Sequence, residues 1–375
     1  MDRIFSASQK ELITLLGSMQ PICNKRTTLD VTESILFHVT PRELVLKATD
    51  LEISLQANMD IQTDSAETES FLISGKRIFE LTKELDGEIQ FSLSDGKLSL
   101  QVGGIDLALN IKDPQEFPPF PERIENFMEV ESSFLLGLIN KVAFLIPQNN
   151  TNAALNGMLL EINQNEMAAV ATDGHSLARV TTTKHVLNEE KKWLMPKRAV
   201  LELKKLLEAY PEDKVFLGVC GNQLVFSGKN FNFFTKLIAD PFPQYKAVMA
   251  RQDFYPARLS RDPFVKTLKR TNCMLAGQFV STQFAFAAGK LKVSMHNKEV
   301  GKLDEELSLE QYEGENIESR FYTPYLLNGL QVFPDDAVNF YIKNNTKPII
   351  FESSSSDFLM TYLVMPVSFS QTEGQ

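Results

Sequence analysis

The chain has 375 residues, 43% of them hydrophobic and 23% charged, with a formal net charge of -10. That length exceeds what a single core accommodates, so two or three domains are expected, and the composition excludes collagen-like and disordered classes. A net negative charge by itself opposes a nucleic-acid partner, because phosphates need concentrated Lys and Arg; the placement of charge therefore matters more than its sum.

The start, Met1-Asp2-Arg3-Ile4-Phe5-Ser6, has no basic region followed by an apolar stretch. No run of about 18 apolar residues occurs later, so a soluble cytoplasmic protein without membrane association is expected. Cys23, Cys220 and Cys273 are too scattered for a metal knuckle or disulfide framework and read as reduced thiols.

A helix is predicted over Ser8 to Met19, with Leu12, Leu15, Leu16 and Met19 on one face and Pro21 after it. Two strand-like runs follow, Ser34–Val39 and Leu44–Thr49, then a second helix, Lys76–Leu85, entered through Ser74-Gly75. Hairpin turns are expected at Asp95-Gly96 and Gly103-Gly104. The pattern then begins again. A helix over Ser132 to Ile146 precedes the runs Gly157–Ile162 and Met167–Thr172, a helix over Lys197–Tyr210, and turns at Gly221-Asn222 and Gly228-Lys229. The third unit has a helix over Ser260 to Met274, the runs Phe279–Phe286 and Leu291–His296, a helix over Pro324–Val332, and turns at Asn344-Asn345 and Ser353–Ser356.

The repeat is about 125 residues, which fixes architecture even where single elements are ambiguous. Helices are too sparse for alternating βαβ units, so the class is α+β: three similar domains, each with two helices packed on antiparallel sheets. Proline-bearing stretches at Pro118–Glu125 and Phe242–Pro256 separate domains spanning 1–123, 127–249 and 255–375.

The six helical segments hold thirteen Lys and Arg against six Asp and Glu, so they carry +7 and the remainder carries −17. Such sorting suits helices that share one anionic partner while the sheets face water. Lys76, Lys197, Arg198 and Lys205 belong to this basic set. The second helix of the third unit adds no cation.

Certain strings carry a resemblance. Ala171-Thr172-Asp173-Gly174-His175-Ser176-Leu177-Ala178 resembles the signature octapeptide of bacterial DNA polymerase III β subunits, the β sliding clamps, with Ser176 where that family normally has Arg. Further strings match in order and spacing: Thr49-Asp50-Leu51-Glu52, Glu116-Phe117-Pro118, Leu155-Asn156-Gly157-Met158-Leu159, Phe242-Pro243-Gln244-Tyr245 and Tyr362-Leu363-Val364-Met365-Pro366-Val367. The resemblance covers essentially the whole chain. It implies a DNA-clamp fold and a ring-forming head-to-tail homodimer that encircles duplex DNA, a processivity factor without catalysis. Leu107 and the pair Cys273-Met274 are then expected at the subunit contact, and Arg26, Asn149, Lys197 and Arg198 at the duplex.

The resemblance also implies a pocket for a short extended peptide ending in apolar residues, formed by Leu155, Thr172, Gly174, His175, Ser176, Leu177, Pro243, Val248, Pro348, Leu363, Met365, Pro366 and Val367. Implied partners are the polymerase III catalytic subunit, an ATP-dependent clamp loader, and other proteins with the same peptide, such as repair polymerases, mismatch-repair proteins and ligase. Ser368 is a second position where the family often has Arg, and the chain continues to Gln375 beyond the expected end.

Asp173-Gly174-His175 can be read as an acid–base pair, but no nucleophile motif accompanies it and the spacing favours a turn with a structural Asp. No Walker-type phosphate loop is present, so ATP use belongs to the loader. His38, His185 and His296 lack metal-ligand spacing; neither cofactor nor metal is expected. Two alternatives stand beside the clamp: a repeat-built protein-interaction scaffold without DNA retention, and a metal-dependent enzyme using Asp50 and Asp173.

Overall fold

The computed structural model describes residues 3–63, 67–210, 214–275 and 281–367. In the first repeat β1 (Arg3–Ser8) precedes α1 (Gln9–Cys23), β2 (Ser34–Val39), β3 (Glu43–Thr49), β4 (Ile53–Asp60), β5 (Glu69–Ser74), α2 (Gly75–Lys83), β6 (Glu88–Ser94), β7 (Lys97–Val102) and β8 (Ile105–Asn110). The second repeats that order with β9 (Glu125–Val130), α3 (Ser132–Val142), β10 (Gly157–Ile162), β11 (Met167–Thr172), β12 (Ser176–Thr182), β13 (Lys191–Pro196), α4 (Lys197–Ala209), β14 (Val215–Cys220), β15 (Gln223–Ser227) and β16 (Phe231–Lys236). The third comprises β17 (Tyr255–Ser260), α5 (Arg261–Cys273), β18 (Thr282–Ala287), β19 (Lys290–Asn297), β20 (Gly301–Ser308), β21 (Ile317–Phe321), α6 (Thr323–Leu330), β22 (Ala337–Ile342), β23 (Ile349–Ser354) and β24 (Leu359–Val364).

The α+β class and the threefold repeat hold, and every ladder is antiparallel. Two differences from expectation have simple causes. Each repeat opens with a short strand that helical periodicity alone did not reveal, because six residues next to a helix give too few alternations to register. The first helix also runs through Pro21 to Cys23. A proline in the last turn forfeits one backbone bond, and the Pro21 carbonyl is taken up by the Arg198 guanidinium at 2.8 Å. The run expected from Phe279 begins outside the described residues, and the strand is seen from Thr282.

Two compact units divide the chain: unit 1 is Met1–Gly137 with Arg198–Leu237, and unit 2 is Leu138–Lys197 with Ile238–Gln375. The middle repeat is shared between them. Unit 1 contains an eight-stranded sheet in the order β5-β2-β3-β4-β16-β15-β14-β9 and a four-stranded sheet, β1-β6-β7-β8. Unit 2 contains the corresponding sheet β13-β10-β11-β12-β24-β23-β22-β17 and a four-stranded sheet, β20-β19-β18-β21. Each eight-stranded sheet is thus two half-sheets of successive repeats joined through their fourth strands, counted across the sheet from its outer edge, β4 to β16 and β12 to β24. The halves fuse because strands such as Ile53–Leu55 and Phe231–Phe234 are buried on the joined edge.

Candidate functional site

Two turns of one construction occupy equivalent places in the two units. In unit 1, Asp50 Oδ1 accepts from the backbone N–H of Glu52 (2.9 Å) and Ile53 (2.8 Å), and Thr49 Oγ1 accepts from Leu51 N–H (3.1 Å). In unit 2, Asp173 Oδ1 accepts from His175 N–H (2.8 Å) and Ser176 N–H (2.7 Å), and Thr172 Oγ1 accepts from Gly174 N–H (3.1 Å). Short Asp and Thr side chains favour such local bonds over continued strand. The Asp173 carboxylate is therefore a turn-former, as its spacing implied.

The turns differ in what lies beside them. The Asp50 side chain is fully buried and its Oδ2 meets the Arg198 guanidinium from the first turn of α4, with Lys25 Nζ at 4.0 Å. Asp173 is half-buried, and no Lys, Arg or His pairs with it among the described residues. Arg198 is the second residue of α4, whereas α6 has Pro324 at its second position and Tyr325 next to it in the same first turn. The His175 ring lies flat on Tyr325, with centroids 5.3 Å apart and planes 13° from parallel. The Tyr325 hydroxyl is held above its ordinary pKa by burial first and then by the negative field of Asp173. Tyr362 donates from its hydroxyl to the Tyr325 carbonyl at 2.6 Å and is shifted in the same direction, again mainly by burial.

Several expected groove residues gather around this turn. Leu177 and Leu363 are register partners across β12 and β24 and share a buried cluster with Leu159, Val170, Leu194, Tyr245 and Ile350. A Cβ on Gly174 would stand 3.7 Å from Leu155 Cδ1, which places Leu155 against the turn. The Met365 N–H donates to the His175 carbonyl at 2.9 Å and Val367 N–H to the Arg320 carbonyl at 2.8 Å, so half-buried Met365, Pro366 and Val367 run along its rim. Pro243 and Val248 are exposed and flank Tyr245, whose hydroxyl donates to the buried carboxylate of Glu161 and fixes that segment to the sheet. Burial, followed by the Glu161 contact, raises the Tyr245 pKa. Pro348 is buried just before β23.

Ser176 is 1% exposed, so its side chain points inward beside Tyr362 and does not line a surface. Ser368 and the remaining tail lie outside the described residues. Tyr325 was not expected at the site, although the internal repeat, which aligns α6 with α4, was a signal for it; Phe242 and Tyr245, expected only as part of a matching string, pack together beside the groove.

The expected duplex contacts occupy varied surroundings. In unit 1, Arg26 is exposed beyond α1, Lys76 is exposed with Glu80 at 3.8 Å, and Lys205 is exposed with Glu202 at 3.1 Å. Arg198 is committed to Asp50 and Pro21. In unit 2, Asn149 is exposed in the loop after α3, while Lys197 Nζ donates to the Ile146 carbonyl at 2.7 Å. Within unit 1, between α1 and α4, a cleft of about 150 Å³ is lined by Thr14, Ser18, Ile22, Leu55, Lys205 and Phe233, none of them a groove residue. Among the described residues no three His, Cys, Asp or Glu gather into a metal site.

The expected subunit-contact residues sit at open sheet edges and a helix end. Leu107 is half-buried on β8, Cys273 is exposed at the end of α5, and Met274 is half-buried after it. Neither β8 nor β20 has a strand on its outer side within the described residues.

Known proteins resemble this chain along its length. Family models described as DNA polymerase III beta subunit match residues 4–121 (N-terminal domain), 129–244 (central domain) and 251–368 (C-terminal domain). The beta sliding clamp of Pseudomonas putida is 27% identical over 367 residues, covering 97% of this chain and 99% of its own. That of Vibrio cholerae is 26% identical over 366 residues, with 97% and 99% covered. A crystal structure of the Pseudomonas aeruginosa DNA polymerase sliding clamp with ligand matches with a TM-score of 0.89 and 25% identity, covering 98% of this chain and 100% of that one. The Bacillus subtilis sliding clamp, at 19% identity and a TM-score of 0.90 over 99% of this chain and 100% of that one, shares the fold.

Proposed function

The chain belongs to the DNA polymerase III beta subunit family, the β sliding clamps, and from that premise we propose that two copies close head to tail into a ring around duplex DNA. Its role is that of a non-catalytic processivity factor in DNA replication. The observation that carries the closure is the pattern of sheet junctions. Fourth strands of successive half-sheets pair twice within the chain, β4 with β16 and β12 with β24, and the two half-sheets left over end in the open fourth strands β20 and β8. Pairing β20 of one copy with β8 of the other is the third junction of the same series. Head-to-tail contacts close when a two-fold axis relates the copies.

Burial along the open edges supports that junction. On β8, Leu107 and Leu109 are half-buried while Ala108 and Asn110 are exposed; on β20, Leu303 and Leu307 are half-buried while Asp304 and Glu306 are exposed. Pairing would satisfy edge N–H and C=O groups that otherwise invite aggregation. Cys273 and Met274, at the end of the helix next to β20, complete the apolar contact.

Three domains, 1–123, 127–249 and 255–375, follow from the repeat, and their six copies in the dimer present twelve helices toward the hole. Arg26, Lys76, Asn149, Lys197, Arg198 and Lys205 serve the duplex, some by direct contact and some, such as Arg198, by fixing the loops that make it. Contacts to phosphate carry no base information and exchange between equivalent neighbours, which permits sliding. A closed ring stays on DNA topologically, so the polymerase peptide held in the groove keeps its enzyme near the primer end at high effective concentration.

The groove is formed by Leu155, Thr172, Gly174, His175, Leu177, Pro243, Val248, Pro348, Leu363, Met365, Pro366 and Val367, with Ser176 as buried support. Apolar walls with a flexible Met accept related side chains from the polymerase III catalytic subunit, the clamp loader, repair polymerases, mismatch-repair proteins and ligase. Action is cytoplasmic, and no helix among the described residues is long and apolar enough to cross a membrane.

The decisive experiment loads the purified protein on nicked circular DNA with a loader and ATP, then washes in salt. Retention on circles and loss after linearisation are expected. Equal loss from both forms would return the reading to a protein-interaction scaffold.

A further inference from the structure

The two equivalent turns contain a specificity device. We propose that Asp173 is the receptor for a guanidinium carried by the partner's peptide, so that the groove of this chain selects an Arg upstream of the apolar anchor residues. The inference rests on the groove reading above and deepens it.

The chain itself displays the bound form. At the turn of unit 1, a carboxylate whose Oδ1 is spent on two backbone N–H groups offers Oδ2 to the Arg198 guanidinium. At the turn of unit 2, Asp173 makes the same two backbone bonds, yet no cation of the described residues pairs with it. The helix that supplies Arg198 in unit 1 has as its counterpart in unit 2 a helix with Pro324 and Tyr325 in its first turn, and Ser176 beside the turn brings no charge. A half-buried carboxylate left with one free oxygen gains from a planar donor more than from a solvated ammonium.

The surroundings favour Arg over Lys. The Tyr325 ring is stacked on His175, two residues along the same turn from Asp173, and guanidinium groups stack on such aromatic surfaces. The site is also continuous with the groove, since the His175 carbonyl holds the Met365 N–H. A peptide whose apolar end occupies Leu177 and Leu363 would thus lead its upstream residues past the Asp173 turn.

The test uses fluorescence anisotropy on the full chain, with labelled eight-residue peptides ending in Leu-Phe. One Arg is moved through the first four positions, and each peptide is paired with its citrulline counterpart, which keeps the shape and removes the charge. At one position Arg should bind about fivefold more tightly than citrulline at low salt, and that gap should shrink in high salt. In Asp173→Asn the gap should vanish while the citrulline peptide binds as before, because an Asn oxygen still accepts the two backbone bonds that build the turn. Asp50→Asn, at the equivalent turn, should leave the gap unchanged. Equal binding of Arg and citrulline at all four positions, a gap insensitive to salt, or a gap that survives Asp173→Asn overturns the inference while leaving the groove intact. Failure of every peptide to bind overturns the groove reading and this inference together.

Discussion

Gly329 lies in α6 against the ring of Tyr362, where an added Cβ would stand 1.9 Å from Cε1. A ring fully buried in β24 has nowhere to move, so Gly329→Ala is expected to destabilise the protein by about 1–3 kcal/mol or more, read as a lowered urea midpoint. Leu177 and Leu363 are legible in the sequence only as apolar strand residues; their neighbourhood comes from the pairing of two distant strands. Leu177→Ala with Met365→Ala should weaken peptide binding at least tenfold while sedimentation still reports the dimer. Because Leu177 is buried, some loss of stability, about 2–4 kcal/mol, accompanies that change. Unchanged peptide affinity would remove the groove assignment. Cys23 adds a pH-dependent expectation. Burial pushes its thiol from 9.0 up to about 12, so the neutral form is favoured in the fold. The stability this contributes is whole below pH 9 and is lost between there and about 12, and Cys23→Ala should flatten the fall of melting temperature across that window.

At the scale of elements, the turn after β3 and the turn after β11 share one hydrogen-bond scheme but not one residue at the apex. Leu51 has φ 73° and Gly174 has φ 92°, both in the left-handed region that side chains disfavour. Gly174→Ala is therefore expected to cost about 1 kcal/mol, whereas Leu51→Gly should be close to neutral, since relief of strain offsets the lost half-buried side chain. Comparative denaturation of the two variants checks this. The edge strands allow a separate test. Leu107→Asp places a charge on the edge of β8 that must face β20 of a second copy, and the dimer should give way to monomer in sedimentation velocity with the fold intact by circular dichroism. A dimer that persists would put the subunit contact elsewhere. Strands β2, β10 and β11 were legible to their last residue in the pattern of alternating and branched side chains, and the second helices nearly so. β1, β9 and β17 were not, because a strand of six residues takes its identity from its neighbour in the sheet.

At the scale of the whole molecule, a chain of charge -10 sorts its cations onto helices, and free affinity for DNA should remain weak and strongly salt-dependent. Short linear duplexes are expected to dissociate steeply as salt rises, while protein on closed circles stays, since topology carries no ionic term. A retention on circles that falls with the same salt slope as on linear duplex would count against encirclement.

The sequence by itself determined the α+β class, the threefold repeat, the turn role of Asp173 and the family, because periodicity, turn chemistry and motif spacing are local or additive along the chain. Only the tertiary structure decided that half-sheets fuse through their fourth strands, that Arg198 is engaged by Asp50 while no cation among the described residues pairs with Asp173, and that Ser176 points inward. Those outcomes depend on which distant residues meet across β4 and β16 or β12 and β24, and no spacing within a single segment encodes such a meeting.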